Sequence, residues 1–135
     1  MVDVFISYPR TQRSKVEPIK AKLQSFGLDV FFDVDGIDGG VSFPDAINRA
    51  LGEAKAVLCC WSPLYFERPW CLIESRFAAD EEIMIAAAIE PFDRKQATAD
   101  FRFTNYLDLT RWNGEDTHED WRRILRRIGQ LVGRE

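Results

Sequence analysis

Ala56-Val57-Leu58-Cys59-Cys60-Trp61 and, further along, Ile83-Met84-Ile85-Ala86-Ala87-Ala88-Ile89 carry no charged side chain and almost nothing polar. A strand with one wet face alternates apolar with polar residues, whereas a strand covered on both faces stays apolar throughout. Both stretches therefore read as interior strands of a parallel sheet with helices on either side. Outward from them, shorter β-branched or aromatic runs stand at Val2–Ser7, Leu28–Phe32 and Phe103–Leu109, mostly separated by segments long enough for a helix and two turns. This β-α-β repetition predicts an α/β fold: a flavodoxin-like, doubly wound, five-stranded parallel sheet of order 2-1-3-4-5, flanked by helices. Residues 1–135 are read as a single domain without repeats or linkers.

Helices are expected where apolar residues recur at a spacing of three and four. The first starts near Ser14, in a capping box with Glu17, buries Val16, Ile19, Leu23 and Phe26, and stops at Gly27. A second follows Ser42 and Pro44 with Ile47, Ala50, Leu51 and Ala54 along one face. A short turn begins near Ser62-Pro63, and the third helix opens at Pro69, tolerated at a first helical position, and runs to about Ala79 with Trp70, Ile73, Glu74 and Phe77 sharing a face. The last is capped by Thr117 and buries Trp121, Ile124, Leu125, Ile128, Leu131 and Val132. The stretch from Glu90 to Arg102 is short and polar and reads as a loop.

Composition narrows the function classes. With 135 residues, 46% of them hydrophobic, the chain is large enough for one proper core. Its longest apolar stretch falls far short of the roughly 20 residues that span a bilayer, and no leader pattern is visible, so a soluble cytoplasmic protein without membrane contact is expected. Three cysteines, Cys59, Cys60 and Cys71, cannot all pair and are read as reduced core thiols, the adjacent two pointing to opposite sheet faces. A net charge of −4 gives nucleic acid no electrostatic reason to bind. Arg122, Arg123, Arg126 and Arg127 are read as the solvated face of the last helix.

In a sheet of this order, ligands bind beyond the carboxyl ends of the strands at the switch point. That rule selects Ser7, Tyr8, Pro9 and Arg10 after the first strand and the segment Ser62 to Glu74 after the third, with the loop Asp33 to Phe43 able to fold over both. A receiver domain needs an aspartate at the end of the third strand, where Trp61-Ser62 stands instead. The G-x-G-x-x-G and G-x-x-x-x-G-K-[ST] phosphate loops are absent. Gly36, Gly39 and Gly40 read as a turn, and Asp33, Asp35 and Asp38 lack the closing glutamate of a calcium loop. His118 is the only histidine, which argues against a histidine triad or a zinc site; no metal is expected.

With these pieces placed, the chain resembles the TIR (Toll/interleukin-1 receptor) domain family over nearly its whole length. Asp3-Val4-Phe5-Ile6-Ser7-Tyr8 is similar to the family's first box. Gly27 through Phe32-Asp33, then Ile37, Gly40 and Ile47, resembles the second strand, the BB loop and the following helix. Ser62-Pro63 followed by Trp70-Cys71-x-x-Glu74 is similar to the W-C-x-x-E motif, and Asp108-Leu109 with Trp112 resembles the bacterial form of the last strand. The family's usual acidic residue shortly after the first-box arginine is replaced here by Thr11-Gln12.

The resemblance implies either an enzyme that splits NAD+ into nicotinamide and ADP-ribose, linear or cyclic, as an effector of bacterial defence or signalling, or a non-enzymatic TIR–TIR interaction module. For the enzyme it implies Glu74 as the catalytic residue. Nicotinamide leaves NAD+ as a neutral molecule from a cationic linkage, so the transition state resembles an oxocarbenium ion and asks for a placed carboxylate rather than a general acid. Trp70 is then expected to stack on the nicotinamide ring, Arg10 to meet the diphosphate, and Phe32 and Ser7 to complete the substrate site. NAD+ is the substrate and no other cofactor is implied. Self-association is expected through the loop bearing Asp33, Asp35, Gly36, Ile37, Asp38, Gly39 and Gly40, with a sensor domain elsewhere in the full-length protein. Without the resemblance, Glu74 reads as a solvent-facing helical glutamate, Trp70 as core packing, Arg10 as a surface charge and Tyr8 as structural.

Overall fold

The computed structural model describes residues 2–32 and 43–133. Five parallel strands, β1 (Val4–Ser7), β2 (Val30–Phe31), β3 (Ala56–Trp61), β4 (Met84–Ala88) and β5 (Leu107–Asp108), stand in the order β2-β1-β3-β4-β5. The register pairs Val4 with Ala56, Leu58 with Ile85 and Ala88 with Asp108. Four helices, α1 (Arg13–Ser25), α2 (Phe43–Glu53), α3 (Pro69–Asp80) and α4 (Glu119–Val132), cover the two faces.

Side chains one residue apart on a strand point to opposite faces, and the core divides accordingly. Val4, Ile6, Leu58, Cys60, Ile85 and Ala87 meet Val16, Ile19 and Leu23 of α1 and Trp121, Ile124 and Ile128 of α4. Phe5, Val57, Cys59, Trp61 and Ala86 meet Ala50 and Leu51 of α2 and Cys71 and Ala78 of α3. All three cysteines are free and buried, with Cys59 and Cys60 on opposite faces as expected. Because β3 is buried at every position, its apolar sequence needs no alternation.

Several boundaries differ from expectation for local reasons. The Ser14–Glu17 capping box does not form: a 3-10 turn over Arg10–Gln12 runs directly into α1, and the Glu17 carboxylate accepts from Arg13 Nε at 3.0 Å instead. Phe26, placed on the buried face of the first helix, is half exposed at its end, while Gly27 adopts the expected left-handed conformation with φ 81°. The cap of α4 is His118 rather than Thr117, its Nδ1 accepting from the Trp121 amide at 3.2 Å. The arginines of α4 are exposed. The last strand is reduced to Leu107–Asp108, and Phe103, expected at its start, is 85% exposed. The preceding connection is irregular as expected, with one 3-10 turn at Arg94–Gln96, and it folds Phe92, Phe101 and Tyr106 around the buried Trp61 ring. Among the described residues no helix is long and apolar enough to cross a membrane.

Candidate functional site

Strand alternation aims Ser7, the last residue of β1, at the face covered by α2 and α3. The next residue, Tyr8, turns the other way and stacks on Phe32, with ring centroids 4.7 Å apart. Pro9 then leads into the turn that carries Arg10. Gln12 fastens this turn to the sheet: its Oε1 accepts from Ser62 Oγ at 2.7 Å, and its Nε2 donates to Glu90 Oε1 at 2.7 Å. Lys15 pairs with the other Glu90 oxygen at 2.8 Å, and this contact leads in holding the Glu90 carboxyl below its ordinary range. An amide that donates on one side and accepts on the other suits this position, since an ionised acid would meet Glu90 with like charge. Gln12 thus connects the loop after β1 to the ends of β3 and β4.

Helix α3 presents an unusual inward face. Cys71, Glu74, Ser75 and Ala78 are buried, while Trp70 is 46% and Ile73 53% exposed. Of the face expected to be shared by Trp70, Ile73, Glu74 and Phe77, Glu74 is buried, Phe77 is partly buried against the core and the other two are exposed, and the side turned to the sheet is small and polar. Pro69 occupies the first turn as expected, following the extended Arg68.

Glu74 is only 7% exposed, so it is not the solvent-facing helical glutamate that it reads as without the family resemblance. Its Oε1 accepts from Ser7 Oγ at 2.6 Å. Ser7 Oγ is also 2.8 Å from the hydroxyl of Tyr65, a fully buried residue in the 3-10 turn Tyr65–Glu67, and that hydroxyl donates to the Cys71 carbonyl at 2.9 Å. Burial pushes the Glu74 carboxyl up from 4.5 to about 7, against the Ser7 hydrogen bond and the Arg10 guanidinium, which draw it down. Burial also pushes the neighbouring Cys59 and Cys71 thiols up to about 12. Both stay protonated at neutral pH and neither is a thiolate nucleophile.

Glu74 forms part of the floor of a cleft of about 610 Å³ walled by Tyr8, Pro9, Arg10, Ile47, Arg68 and Trp70, among others. Its size falls in the range of small-molecule and cofactor sites. A smaller adjoining recess of about 50 Å³ shares Tyr8, Arg10, Ile47 and Glu74 with it and adds Phe32. The structure thus brings Arg10, Trp70 and Glu74 to one cleft and sets Phe32 beside it. Ser7 lies behind Glu74 and is absent from the cleft wall. Asp33, Asp35, Gly36, Ile37, Asp38, Gly39 and Gly40 lie outside the described residues. Among the described residues no group of three or more His, Cys, Asp or Glu is placed to hold a metal ion.

The family described as TIR domain matches residues 4–125. The chain belongs to the TIR domain family. No curated protein matches it. Among solved structures it resembles the TIR domain of the Toll-related receptor TRR-2 from Hydra magnipapillata, at 22% identity and a TM-score of 0.78, covering 95% of this chain and 98% of that one. It also resembles a metazoan TIR-STING receptor from C. gigas solved with 2′,3′-cGAMP, at 18% identity and TM-score 0.71, covering 98% of this chain and 39% of that one. The TIR domains of the activated Roq1 resistosome, which recognises the effector XopQ, match at 22% identity and TM-score 0.59, over 98% of this chain and 82% of that one. At these identities the likeness establishes the fold.

In this TIR domain the Trp70-Cys71-x-x-Glu74 stretch forms the first turns of α3. Trp70 and Glu74, four apart, lie one above the other beside the cleft, while Cys71 enters the core. The site joins a carboxyl poised near neutrality, an exposed indole face and guanidiniums of Arg10 and Arg68. Four participants were not singled out as site residues from the sequence. Arg68 directly precedes Pro69, Ile47 reads as packing, Gln12 reads only as a departure from the family pattern, and no sequence signal distinguishes the Tyr65 hydroxyl from ordinary core.

Proposed function

We propose that this TIR domain is an NAD+ glycohydrolase whose catalytic residue is Glu74. The observation carrying this reading is the buried Glu74 carboxyl, titrating near 7, in a cleft shared with an exposed Trp70 and with Arg10. In the reaction the electron pair of the N-glycosidic bond leaves with nicotinamide, and charge develops at the ribosyl C1′ and ring oxygen. An ionised Glu74 in a water-poor setting stabilises that charge, a contribution of about 10²–10³ in rate by analogy with other preorganised groups. Water then supplies the oxygen at C1′ and gives up a proton, which a carboxylate with a pKa near 7 accepts efficiently at neutral pH. Closure by a nucleophile of the ADP-ribose moiety itself gives the cyclic product instead. Trp70 offers its face to the cationic nicotinamide ring and Arg10 a planar fork for the diphosphate, while Phe32, buried and stacked on Tyr8, backs the cleft wall rather than facing substrate.

A second reading, a non-enzymatic TIR–TIR interaction module, is favoured by the exposed apolar pair Trp70 and Ile73 beside the cleft. The two readings are compatible if a second copy completes the site through the loop Asp33–Phe43. A cytoplasmic, bacterial effector joined to a sensor domain is the setting this reading fits. Incubating concentrated purified protein with NAD+ and measuring nicotinamide separates them: release supports the glycohydrolase, and none at any concentration leaves the interaction module.

A further inference from the structure

Behind Glu74 runs a branched chain of hydroxyls, with the Cys59 thiol also hydrogen-bonded to Ser75 and Tyr65. Four contacts compose it: Glu74 Oε1 with Ser7 Oγ at 2.6 Å, Ser7 Oγ with Tyr65 Oη at 2.8 Å, Tyr65 Oη with Ser75 Oγ at 2.6 Å, and Tyr65 Oη with the Cys71 carbonyl at 2.9 Å. Tyr65, Ser7 and Ser75 are at most 1% exposed, which leaves solvent no access to these hydroxyls. Each contact needs one hydrogen, and each hydroxyl supplies one. With Glu74 ionised, Ser7, Tyr65 and Ser75 supply three hydrogens to four contacts, and one is left as a bare oxygen–oxygen approach. With Glu74 protonated, its own hydrogen goes to Ser7, that of Ser7 to Tyr65, that of Tyr65 to the Cys71 carbonyl and that of Ser75 to Tyr65. All four contacts are then satisfied. Trp61 Nε1, 3.4 Å from Ser75 Oγ, donates to that oxygen and leaves the Ser75 hydrogen free for Tyr65.

From this count we infer that Tyr65 is a positioning residue: by competing for the single hydrogen of Ser7, its hydroxyl favours the protonated form of Glu74 and sets the pH at which the carboxylate becomes available to substrate. The charged and titratable groups around Glu74 among the described residues are Arg10 after β1, Arg68 just before α3 in the same cleft, Cys59 on β3, Tyr65 after β3 and Cys71 on its own helix. The two thiols, pushed up to about 12 by burial, stay neutral across the range, and guanidinium groups do not deprotonate in proteins, so none of these imitates the Tyr65 effect by titrating. The rate arm of the test rests on the NAD+-cleaving reading. The titration arm does not.

The test is Tyr65→Phe, which keeps the ring in the core and removes the hydroxyl. Ser7 then gives its hydrogen to Glu74 without competition. The Glu74 carboxyl, followed by NMR in protein labelled with 13C at glutamate Cδ and assigned by its loss in Glu74→Gln, titrates about one pH unit lower, the effect of one hydrogen bond. The acidic limb of kcat/KM for nicotinamide release moves down with it. In a Ser7→Ala background the same substitution moves nothing, because Ser7 is the link. An unmoved titration in Tyr65→Phe, or an equal displacement with and without Ser7, overturns the inference. If wild type releases no nicotinamide yet the titration moves as stated, the inference stands and the glycohydrolase reading falls. Should Tyr65→Phe fail to fold, global 3-fluorotyrosine labelling replaces it. The more acidic phenol is a weaker acceptor, competes less for the Ser7 hydrogen and must lower the Glu74 titration, and no displacement there also overturns the inference.

Discussion

Replacing Glu74 with glutamine changes folding stability in a pH-dependent way whose sign and size follow from its surroundings. Glu74 is 7% exposed, and burial lifts its carboxyl from 4.5 to about 7 in the folded chain. Between those values the folded state holds more protons than the unfolded one, so the contribution of this group to stability falls as pH rises through the interval and is fully lost above about 7. At about 1.4 kcal/mol per pH unit, the displacement corresponds to about 3 kcal/mol by pH 8. Below pH 4.5 both states are protonated and the penalty vanishes. Glu74→Gln fills the same volume, keeps an oxygen for the Ser7 hydroxyl and carries no charge. Denaturant unfolding of both proteins from pH 4 to pH 8 is expected to show glutamine gaining on glutamate by up to about 3 kcal/mol, with nearly all of the gain between pH 4.5 and 7.5. Stability curves that run parallel across this range would refute the claim that Glu74 is desolvated. Glu74→Ala is a poorer probe, because it also leaves Ser7 Oγ facing a void.

Two further outcomes are expected. Arg10→Ala should raise KM for NAD+ about tenfold while lowering kcat little, since a diphosphate contact remote from the scissile bond holds ground and transition states alike; steady-state kinetics with an unchanged KM would place the diphosphate elsewhere. Specific activity should rise with protein concentration and on clustering the domain on a multivalent scaffold, because the exposed Trp70 and Ile73 beside the cleft offer a neighbouring copy apolar surface; constant specific activity across the dilution range would favour a self-sufficient monomer.

The sheet is legible because burial on both faces erases polar alternation: the runs at 56–61 and 83–89 locate β3 and β4, and the usual order of a five-stranded chain of this type is the one observed. Shorter edge strands were overestimated. Aromatic Phe103 has high strand propensity, yet packing around Trp61 turned that segment away from the sheet. Helix caps slipped by a residue or two because several neighbouring side chains can serve, and tertiary contacts choose among them. The largest departure lies on α3. Helical spacing puts Trp70, Ile73, Glu74 and Phe77 on one face, whereas the chain buries Cys71, Glu74, Ser75 and Ala78 and exposes Trp70 and Ile73. Those four small or polar residues recur at i, i+3, i+4 and i+7, a helical stripe visible in the sequence once size is read in place of hydropathy. A face that breaks the local rule is where a functional site is expected. Motif resemblance picked out Glu74, Trp70 and Arg10, but the hydroxyl chain through Tyr65 depends on distances between separate elements, and no spacing encodes them.

The central claim is that the Glu74 carboxyl cleaves NAD+ in this TIR domain. Its most direct measurement is nicotinamide release at pH 8, where the carboxylate predominates, by wild type and Glu74→Gln at the same high protein concentration, with matched circular dichroism spectra. Steady release by wild type and a loss of at least about a hundredfold in the variant, on the scale of removing one preorganised group, is the predicted result. Equal release by the two proteins would contradict it.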